Sequence, residues 1–243
     1  YTLAVKFVVT RDATLGPAGE RTDWKDRIIA LRDVWTTLVL FIFVIGGIYI
    51  GLFSATEAAG MGAAGALLIT YFKGALSRKI LLDVGREAAL LAAKLFALLF
   101  GASMFSHFLN RAGLPDALMG FINSFELSGI SVIFIILLIY LLLGCVFESM
   151  SMILLTVPIF APLVQQLGFD LIWFGILVVV VTEISLITPP IGLNVFVLKG
   201  VIKDVSVSTI FKGVTPFWIA DIIRLILLTA IPALSLFLPS LMA

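Results

Sequence analysis

The sequence is poor in the residues that build most disulfide, metal and hydrolytic sites. Its 243 residues include one cysteine, Cys145, and one histidine, His107. A single cysteine excludes an internal disulfide framework and a cysteine metal cluster. His107 directly follows Ser106, and adjacent residues on a helix do not face each other, so this pair does not indicate a nucleophile with its base. HExxH, GxSxG and paired intramembrane aspartates are also absent from the sequence, so we expect no enzyme activity.

Charge is scarce as well. Only 13% of the residues are charged and 61% are hydrophobic, with a mean hydropathy of +1.20. A soluble domain carries about 25% charged and about 45–50% apolar residues, and a disordered chain is less hydrophobic still. The net charge of +1 gives no basic excess for a nucleic-acid partner. The composition therefore predicts an all-α integral membrane protein in a lipid bilayer.

Four stretches contain no charged residue and are long enough to approach or exceed a bilayer span of about 20 residues. They are residues 34–56, 127–147, 149–169 and 225–243. A charge at the bilayer centre costs at least about 2.5–3.5 kcal/mol, so these stretches are candidates for transmembrane helices. The sequence begins at Tyr1 in a mostly apolar segment, and we expect it to be the C-terminal part of a longer protein, cut inside a helix.

Lysine and arginine are distributed unevenly among the polar connections. Residues 1–32 contain six of them and residues 73–86 contain four, whereas residues 110–128 contain only Arg111. Cytoplasmic loops carry an excess of Lys and Arg, so we expect the first two connections to be cytoplasmic and the third to lie on the opposite side.

Residues 129–167 do not resemble two ordinary spans. Two apolar pieces, 129–143 and 151–166, flank the polar residues 144–151. Each piece is about 23 Å long as a helix, which is short of the roughly 30 Å hydrocarbon core. This pattern favours a re-entrant hairpin with a polar tip that faces protein or water. The alternative is two tilted spans joined by a short cytoplasmic loop that contains Glu148.

Residues 170–203 contain a helix that has to break. An apolar run, 171–187, meets Pro189 and Pro190, which remove two backbone donors and disfavour helix at the preceding residue. The carbonyl groups near residues 185–188 then need an ion, water or a polar neighbour. In secondary transporters, broken helices use such carbonyls for cations and half-helix N-termini for anionic substrates. A simple proline kink is the structural alternative.

Three motifs in this order resemble the large membrane subunit of tripartite ATP-independent periplasmic (TRAP) transporters, in its C-terminal half. GLFSATEAA at residues 51–59 is similar to that family's GxFTPTEAA signature. Residues 143–175 are similar to its second hairpin and the run that follows. ITPPIGLNVFVL at residues 187–198 is similar to its TPPxG segment. The resemblance covers essentially the whole sequence.

Five positions depart from the family pattern. Ser54 and Ala55 stand where Thr and Pro are usual, and Glu148 stands where Asp is usual. Val181 and Ser185 occupy positions where Asn and Gly are expected. Val181 removes a possible polar ligand, and Ser185 adds a hydroxyl group at the cost of glycine's backbone freedom.

The resemblance implies a polytopic helical bundle that forms one inverted repeat of an elevator-type transporter. In this family sodium ions and an organic anion bind between hairpin tips and broken helices. Sodium is then expected near Ser185 and Thr188, mostly on backbone carbonyls, with no other cofactor. We expect the anion at the half-helix that starts near Gly192. The candidate ion- and substrate-binding residues are Gly144, Glu148, Ser149, Ser185, Thr188, Pro189, Pro190, Gly192 and Asn194.

The expected organisation has four parts. These are a cytoplasmic loop after a truncated helix (1–33), scaffold-type helices (34–128), a transport-type region with hairpin (129–167) and broken helix (170–203), and a C-terminal transmembrane helix (204–243).

The resemblance also implies a multi-pass protein of the bacterial inner membrane with three kinds of partner. These are a small four-helix membrane subunit, a periplasmic substrate-binding protein and an organic anion such as a C4-dicarboxylate, a sialic acid or a related carboxylate. An ion-coupled elevator-type anion carrier that works without a binding protein is the nearest alternative. A channel is disfavoured because no filter-like repeat or charged ring is present.

Overall fold

A computed structural model describes residues 1–11, 23–202 and 205–241. Within these residues the backbone forms eleven α-helices and no strand, as predicted for an all-α protein. The helices are α1 (Thr2–Arg11), α2 (Trp24–Tyr49), α3 (Ala55–Phe72), α4 (Arg78–Arg111), α5 (Leu114–Ser124), α6 (Gly129–Leu143), α7 (Ser149–Gln166), α8 (Leu171–Ser185), α9 (Leu193–Val201), α10 (Val207–Ala230) and α11 (Ala233–Ser240).

The chain divides into two compact units. The larger unit contains α1 and the residues from Lys94 to Phe237, and the smaller unit contains α2, α3 and the first part of α4 up to Ala93. The predicted hairpin and the predicted broken helix both belong to the larger unit. Among the described residues, three helices are apolar and long enough to cross a membrane by themselves, namely α4, α7 and α10.

In the smaller unit, α2 extends well beyond the apolar run that predicts a span. It begins at Trp24, where the Asp23 carboxylate accepts the backbone N–H of Trp24 at 2.8 Å. The prediction of a loop up to residue 33 is therefore wrong for the residues after Asp23, and residues 12–22 lie outside the described part. The charge-free run indicates only which part of the helix can lie in lipid. The helix itself starts earlier, at its N-cap, and includes polar residues.

The α2–α3 connection closes with a capping box. The backbone N–H of Glu57 donates to the Ser54 hydroxyl at 3.3 Å, and the Glu57 carboxylate accepts the Ser54 N–H at 2.8 Å. Leu40 of α2 packs over Gly65 of α3, where a side chain would overlap it. The capping box thus fixes the start of α3 at Ala55.

The core of the larger unit is centred on α8. Helices α6, α7 and α10 all pack against it. Trp173, Phe174 and Leu177 of α8 and Ile133 and Ile136 of α6 are almost completely buried. Both helices are mostly apolar, α8 up to Thr182, Glu183 and Ser185 in its last turn, which is the pattern of a helix surrounded by other helices or by lipid.

One hydrogen bond joins α8 to α10 in this core, and another joins α6 to α7. The Trp173 indole Nε1–H of α8 donates to the Leu228 carbonyl of α10 at 2.8 Å. The hydroxyl groups of Tyr140 in α6 and Thr156 in α7 lie 2.6 Å apart, and Thr156 also donates to the Met152 carbonyl at 2.7 Å. Because Thr156 has only one hydroxyl proton, both bonds form together when Tyr140 donates to Thr156.

The C-terminal region contains one long helix followed by a short one. Helix α10 ends at Ala230, and α11 begins at Ala233. Pro232 lies between them and disfavours helical conformation at Ile231. Of these two helices only α10 is long and apolar enough to cross a membrane, so one transmembrane helix within residues 204–243 stays a prediction.

Helix α10 also carries a buried carboxylate. Asp221 is 5% exposed and pairs with Arg224 at 3.0 Å, as the i, i+3 spacing indicates. The Tyr1 hydroxyl lies 2.7 Å from both Asp221 oxygens and joins α1 to α10. A buried charge is tolerated when it is paired and hydrogen-bonded in this way.

We predict that Tyr140→Phe lowers the free energy of unfolding of the full-length protein by about 1 kcal/mol, because the Thr156 hydroxyl loses its donor inside the hairpin. The measurement is denaturant titration in detergent micelles. Tyr71→Phe is the control, since the Tyr71 side chain is exposed. Equal stability of the two variants would contradict the role given to the Tyr140 hydroxyl.

Candidate functional site

The predicted break between α8 and α9 is present. Helix α8 ends at Ser185 and α9 begins at Leu193, so residues 186–192 are not helical. Pro189 and Pro190 lie in the middle of this segment. Neither can donate a backbone hydrogen bond, which explains why the helix stops here and restarts after Gly192.

The carbonyl groups released at the break accept hydrogen bonds from other donors than the N–H four residues later, which a continuous helix would supply. The Ser185 carbonyl accepts the Thr188 N–H at 3.1 Å, and the Leu186 carbonyl accepts the Asn194 N–H of α9 at 3.1 Å. The Thr188 carbonyl lies 3.9 Å from the Cys145 thiol, whose single proton has a shorter contact of 3.3 Å with the Leu141 carbonyl. Each carbonyl oxygen has two lone pairs and therefore retains the capacity for one more contact.

The side chain of Thr188 is buried and doubly hydrogen-bonded. Its hydroxyl group donates to the Ile184 carbonyl at 2.7 Å and accepts the indole Nε1–H of Trp218 at 2.9 Å. Thr188 is 6% exposed, and Trp218 belongs to α10. The break is thus connected both to the helix before it and to α10.

The hairpin tip lies against the end of α8. Gly144 is buried, and a Cβ atom there would come within 2.5 Å of the Ser185 Cβ and closer still to its hydroxyl oxygen. The Ser185 hydroxyl donates to the Thr182 carbonyl at 2.6 Å. The absence of a side chain at position 144 therefore creates the space that Ser185 occupies.

Gly192 begins the second half-helix in a conformation that favours glycine. Its φ angle is +54°, and a Cβ atom would lie 3.3 Å from both the Phe211 ring and the Thr188 carbonyl oxygen. As the N-cap of α9 it has no side chain to accept the first N–H groups of that helix. These amide groups form a partial positive charge at the start of α9.

Other predicted site residues lie apart from these contacts. Glu148 is exposed and caps α7, where its carboxylate accepts the N–H groups of Met150 and Ser151 at 3.1 Å each. Ser149 is the first residue of α7. Within the described residues, the structure gives Glu148 a role in ending the tip and shows no contact between its side chain and the break.

The remaining predicted residues lie in or after the break. Pro189 and Pro190 are exposed, and so is Asn194 in the first turn of α9. Pro189 borders a cavity of about 150 Å³ together with Ile187, Phe211, Val214, Thr215 and Trp218. Asn194 contributes its backbone N–H to the break.

Two contacts of the break come from residues that the sequence does not single out for the site. Trp218 is 30 residues from Thr188, and Cys145 is 43 residues from it. Neither belongs to the TPPxG segment. A tryptophan in an apolar helix carries no local signal that its indole group is a hydrogen-bond donor to a distant break.

The oxygen atoms around the break are electrically neutral. They belong to the hydroxyl groups of Ser185 and Thr188 and to backbone carbonyls. Throughout the part of the chain that the structure describes, no three His, Cys, Asp or Glu side chains form a group suited to a metal ion. The break therefore fits a cation of low charge better than a divalent ion, which prefers carboxylates.

Residues 1–234 match the family described as "Tripartite ATP-independent periplasmic transporter, DctM component". The chain belongs to this family, which consists of transporter components and not of enzymes. Together with the apolar helices, this membership makes the chain part of a multi-pass membrane protein.

Individual relatives match along nearly the whole chain. A C4-dicarboxylate TRAP transporter large permease protein of Rhodobacter capsulatus is 34% identical over 93% of this chain and 51% of its own length. A protein of the same description from Pseudomonas aeruginosa is 33% identical over 98% of this chain and 56% of its own. A sialic acid TRAP transporter large permease protein of Vibrio cholerae is 28% identical over 94% and 52%. The chain spans about half the length of these relatives.

We predict that Gly144→Ala destabilises the full-length protein by about 1–3 kcal/mol, the usual cost of overpacking, because the new methyl group overlaps Ser185. Adding Ser185→Gly removes the overlapping atoms and restores most of the loss. Unfolding midpoints in detergent measure both effects.

Gly175→Ala in α8 is the matched control for Gly144→Ala, since no atom lies within 4 Å of the added Cβ. Ser185→Gly alone gives the intrinsic cost of glycine at this position. If Gly144→Ala were as stable as the control, the tip would not lie against α8 as described.

Proposed function

We propose that the chain is the C-terminal part of the large permease subunit of a TRAP-type secondary transporter, which couples uptake of an organic anion to sodium. The observation that carries the proposal is the contact of the hairpin tip with a broken helix, at Gly144 and Ser185, in a chain of this family. Half-helices and a hairpin tip supply the polar groups that a substrate needs within an apolar bundle.

The break supports the binding of a sodium ion. The hydroxyl oxygens of Ser185 and Thr188 and the second lone pairs of nearby carbonyls are neutral ligands for a monovalent cation. Thr188 is the central residue of this set because it lies in the break itself and is buried. The ion would be the coupled cargo, and Ser185 and Thr188 would hold it.

The start of α9 supports the binding of an anion. Helix α9 has no side-chain cap. The Asn194 N–H is donated to the Leu186 carbonyl, so the support for an anion comes from the helix dipole and from the N–H of Leu193 at the start of the helix. The C-terminal end of α8, by contrast, presents carbonyl oxygens. The two ends of the break are thus suited to opposite charges, which is a basis for coupled transport.

The names of the relatives suggest the class of substrate. Those cited carry descriptions for C4-dicarboxylate and for sialic acid, which are carboxylates. We therefore propose an organic carboxylate as the substrate, delivered by a periplasmic binding protein. A small four-helix membrane subunit would complete the membrane complex in the bacterial inner membrane.

We predict that uptake of labelled succinate or sialic acid into liposomes requires an inward sodium gradient. The liposomes contain the full-length large subunit and the small subunit, with the binding protein outside. Thr188→Val removes one ligand and is expected to raise the half-saturating sodium concentration about tenfold or more, or to abolish sodium dependence. Uptake that is indifferent to sodium in the unmodified complex would contradict the coupling.

Thr229→Val is the matched control. Thr229 is also a buried threonine whose hydroxyl donates to a carbonyl of its own helix, that of Leu225, at 2.8 Å. It is located in α10, outside the break. An equal rise in half-saturating sodium concentration in both variants would show that the Thr188 effect is not specific to the ion.

A separate prediction concerns the binding protein. We expect no uptake above background when it is omitted, because the family's design requires delivery of the substrate. The measurement is the same liposome assay with and without the purified binding protein at equal substrate concentration. Undiminished uptake without it would favour an elevator-type carrier that binds its substrate directly.

A further inference from the structure

Trp218 occupies an oxygen atom that the proposed sodium site would use. Its indole Nε1–H donates to the Thr188 hydroxyl oxygen at 2.9 Å. The same hydroxyl group gives its only proton to the Ile184 carbonyl at 2.7 Å. One lone pair of the oxygen is therefore used by Trp218, and one remains.

An N–H donor and a cation are unfavourable partners for one oxygen atom. Both direct positive charge at it, and within a low-dielectric interior their mutual repulsion is weakly screened. Donation by the indole also draws electron density from the oxygen, which makes it a poorer ligand. A cation that binds Thr188 thus competes with the indole group of Trp218.

We propose that Trp218 controls the cation affinity of the break: its N–H satisfies the Thr188 oxygen when no cation is bound, and the cation displaces it. The inference rests on the proposed sodium site at Thr188. Trp218 lies in α10, outside the TPPxG segment, and sets the sodium concentration at which the transporter is half-saturated. While no ion is bound, the indole N–H donates to the buried Thr188 oxygen, which therefore keeps a hydrogen-bond partner.

The surroundings of Trp218 provide room and a second acceptor for the displaced indole. A cavity of about 150 Å³ adjoins it and is lined by Pro189 of the break and Phe211 and Thr215 of α10. Thr215 donates its hydroxyl proton to the Phe211 carbonyl at 2.8 Å, so its oxygen retains lone pairs for an N–H donor. Thr215 lies one turn before Trp218 on the same helix.

The test is the half-saturating sodium concentration for uptake by the full-length complex with Trp218→Phe. Phenylalanine keeps the ring and removes the donor, so the competitor is lost. We expect sodium to act at a concentration about 2- to 10-fold lower, the equivalent of one hydrogen bond. A lower half-saturating sodium concentration is informative, because general structural damage at this position would weaken sodium binding and raise that concentration.

Trp173→Phe is the matched control. Trp173 also donates its indole N–H across the α8–α10 contact, at 2.8 Å, but its acceptor is the Leu228 carbonyl. We expect its half-saturating sodium concentration to stay within about twofold of the unmodified protein, as no sodium ligand is involved. If both variants tightened sodium binding equally, the effect would belong to the helix contact and the proposal would be overturned.

The outcomes separate the two proposals. If uptake by the unmodified complex does not depend on sodium, both the proposed sodium site and this inference are contradicted. Sodium-dependent uptake that Trp218→Phe leaves unchanged or weakens overturns the displacement alone, and the sodium site remains.

A measurement on the unmodified protein covers the case in which Trp218→Phe does not fold. Indole N–H resonances of the labelled full-length subunit in nanodiscs are followed while sodium replaces choline at constant ionic strength. Exchange of the bond to Thr188 for another environment is expected to shift the Trp218 resonance and to leave that of Trp173 in place. A Trp218 resonance that does not move, at sodium concentrations that support uptake, overturns the proposal.

Discussion

The polar backbone groups released at the break need partners, because the helices around them are apolar and an unpaired group in such surroundings is costly. The partners come from three elements. The N–H of Asn194 in α9 pairs with the Leu186 carbonyl, and the thiol of Cys145 in the hairpin tip lies beside the Thr188 carbonyl. The indole N–H of Trp218 in α10 pairs with the hydroxyl group of Thr188. Each of these contacts also positions its element against the break. The requirement to satisfy a few carbonyl and hydroxyl oxygens therefore organises this part of the larger unit.

The contact between Gly144 and Ser185 depends on both space and hydrogen bonding. Ser185 is present where the family pattern favours glycine, and its hydroxyl group is accommodated because residue 144 lacks a side chain. The hydroxyl group is then held by the Thr182 carbonyl. A neutral oxygen thus lies beside the break and against the hairpin tip.

Local signals in the sequence predict the helices of the transport-type region well. The bounds of α6 and the break at Pro189 and Pro190 are confirmed, because caps, glycines and prolines act within a few residues. Absence of charge is a weaker guide, since it marks a lipid-compatible segment and not the ends of a helix such as α2. The contact of Trp218 with Thr188 could not be predicted, as it depends on how α10 packs. Re-entry of the hairpin into the membrane stays a prediction.

The two arms of the hairpin differ in how completely their backbone is hydrogen-bonded. Helix α7 contains Pro158 and Pro162 one turn apart, so the carbonyls of Leu154 and Pro158 lose the donors that a regular helix would supply. Helix α6 has no proline and keeps an unbroken ladder of hydrogen bonds. Fewer backbone hydrogen bonds therefore resist bending in α7 than in α6, and prolines are the usual places at which a helix bends.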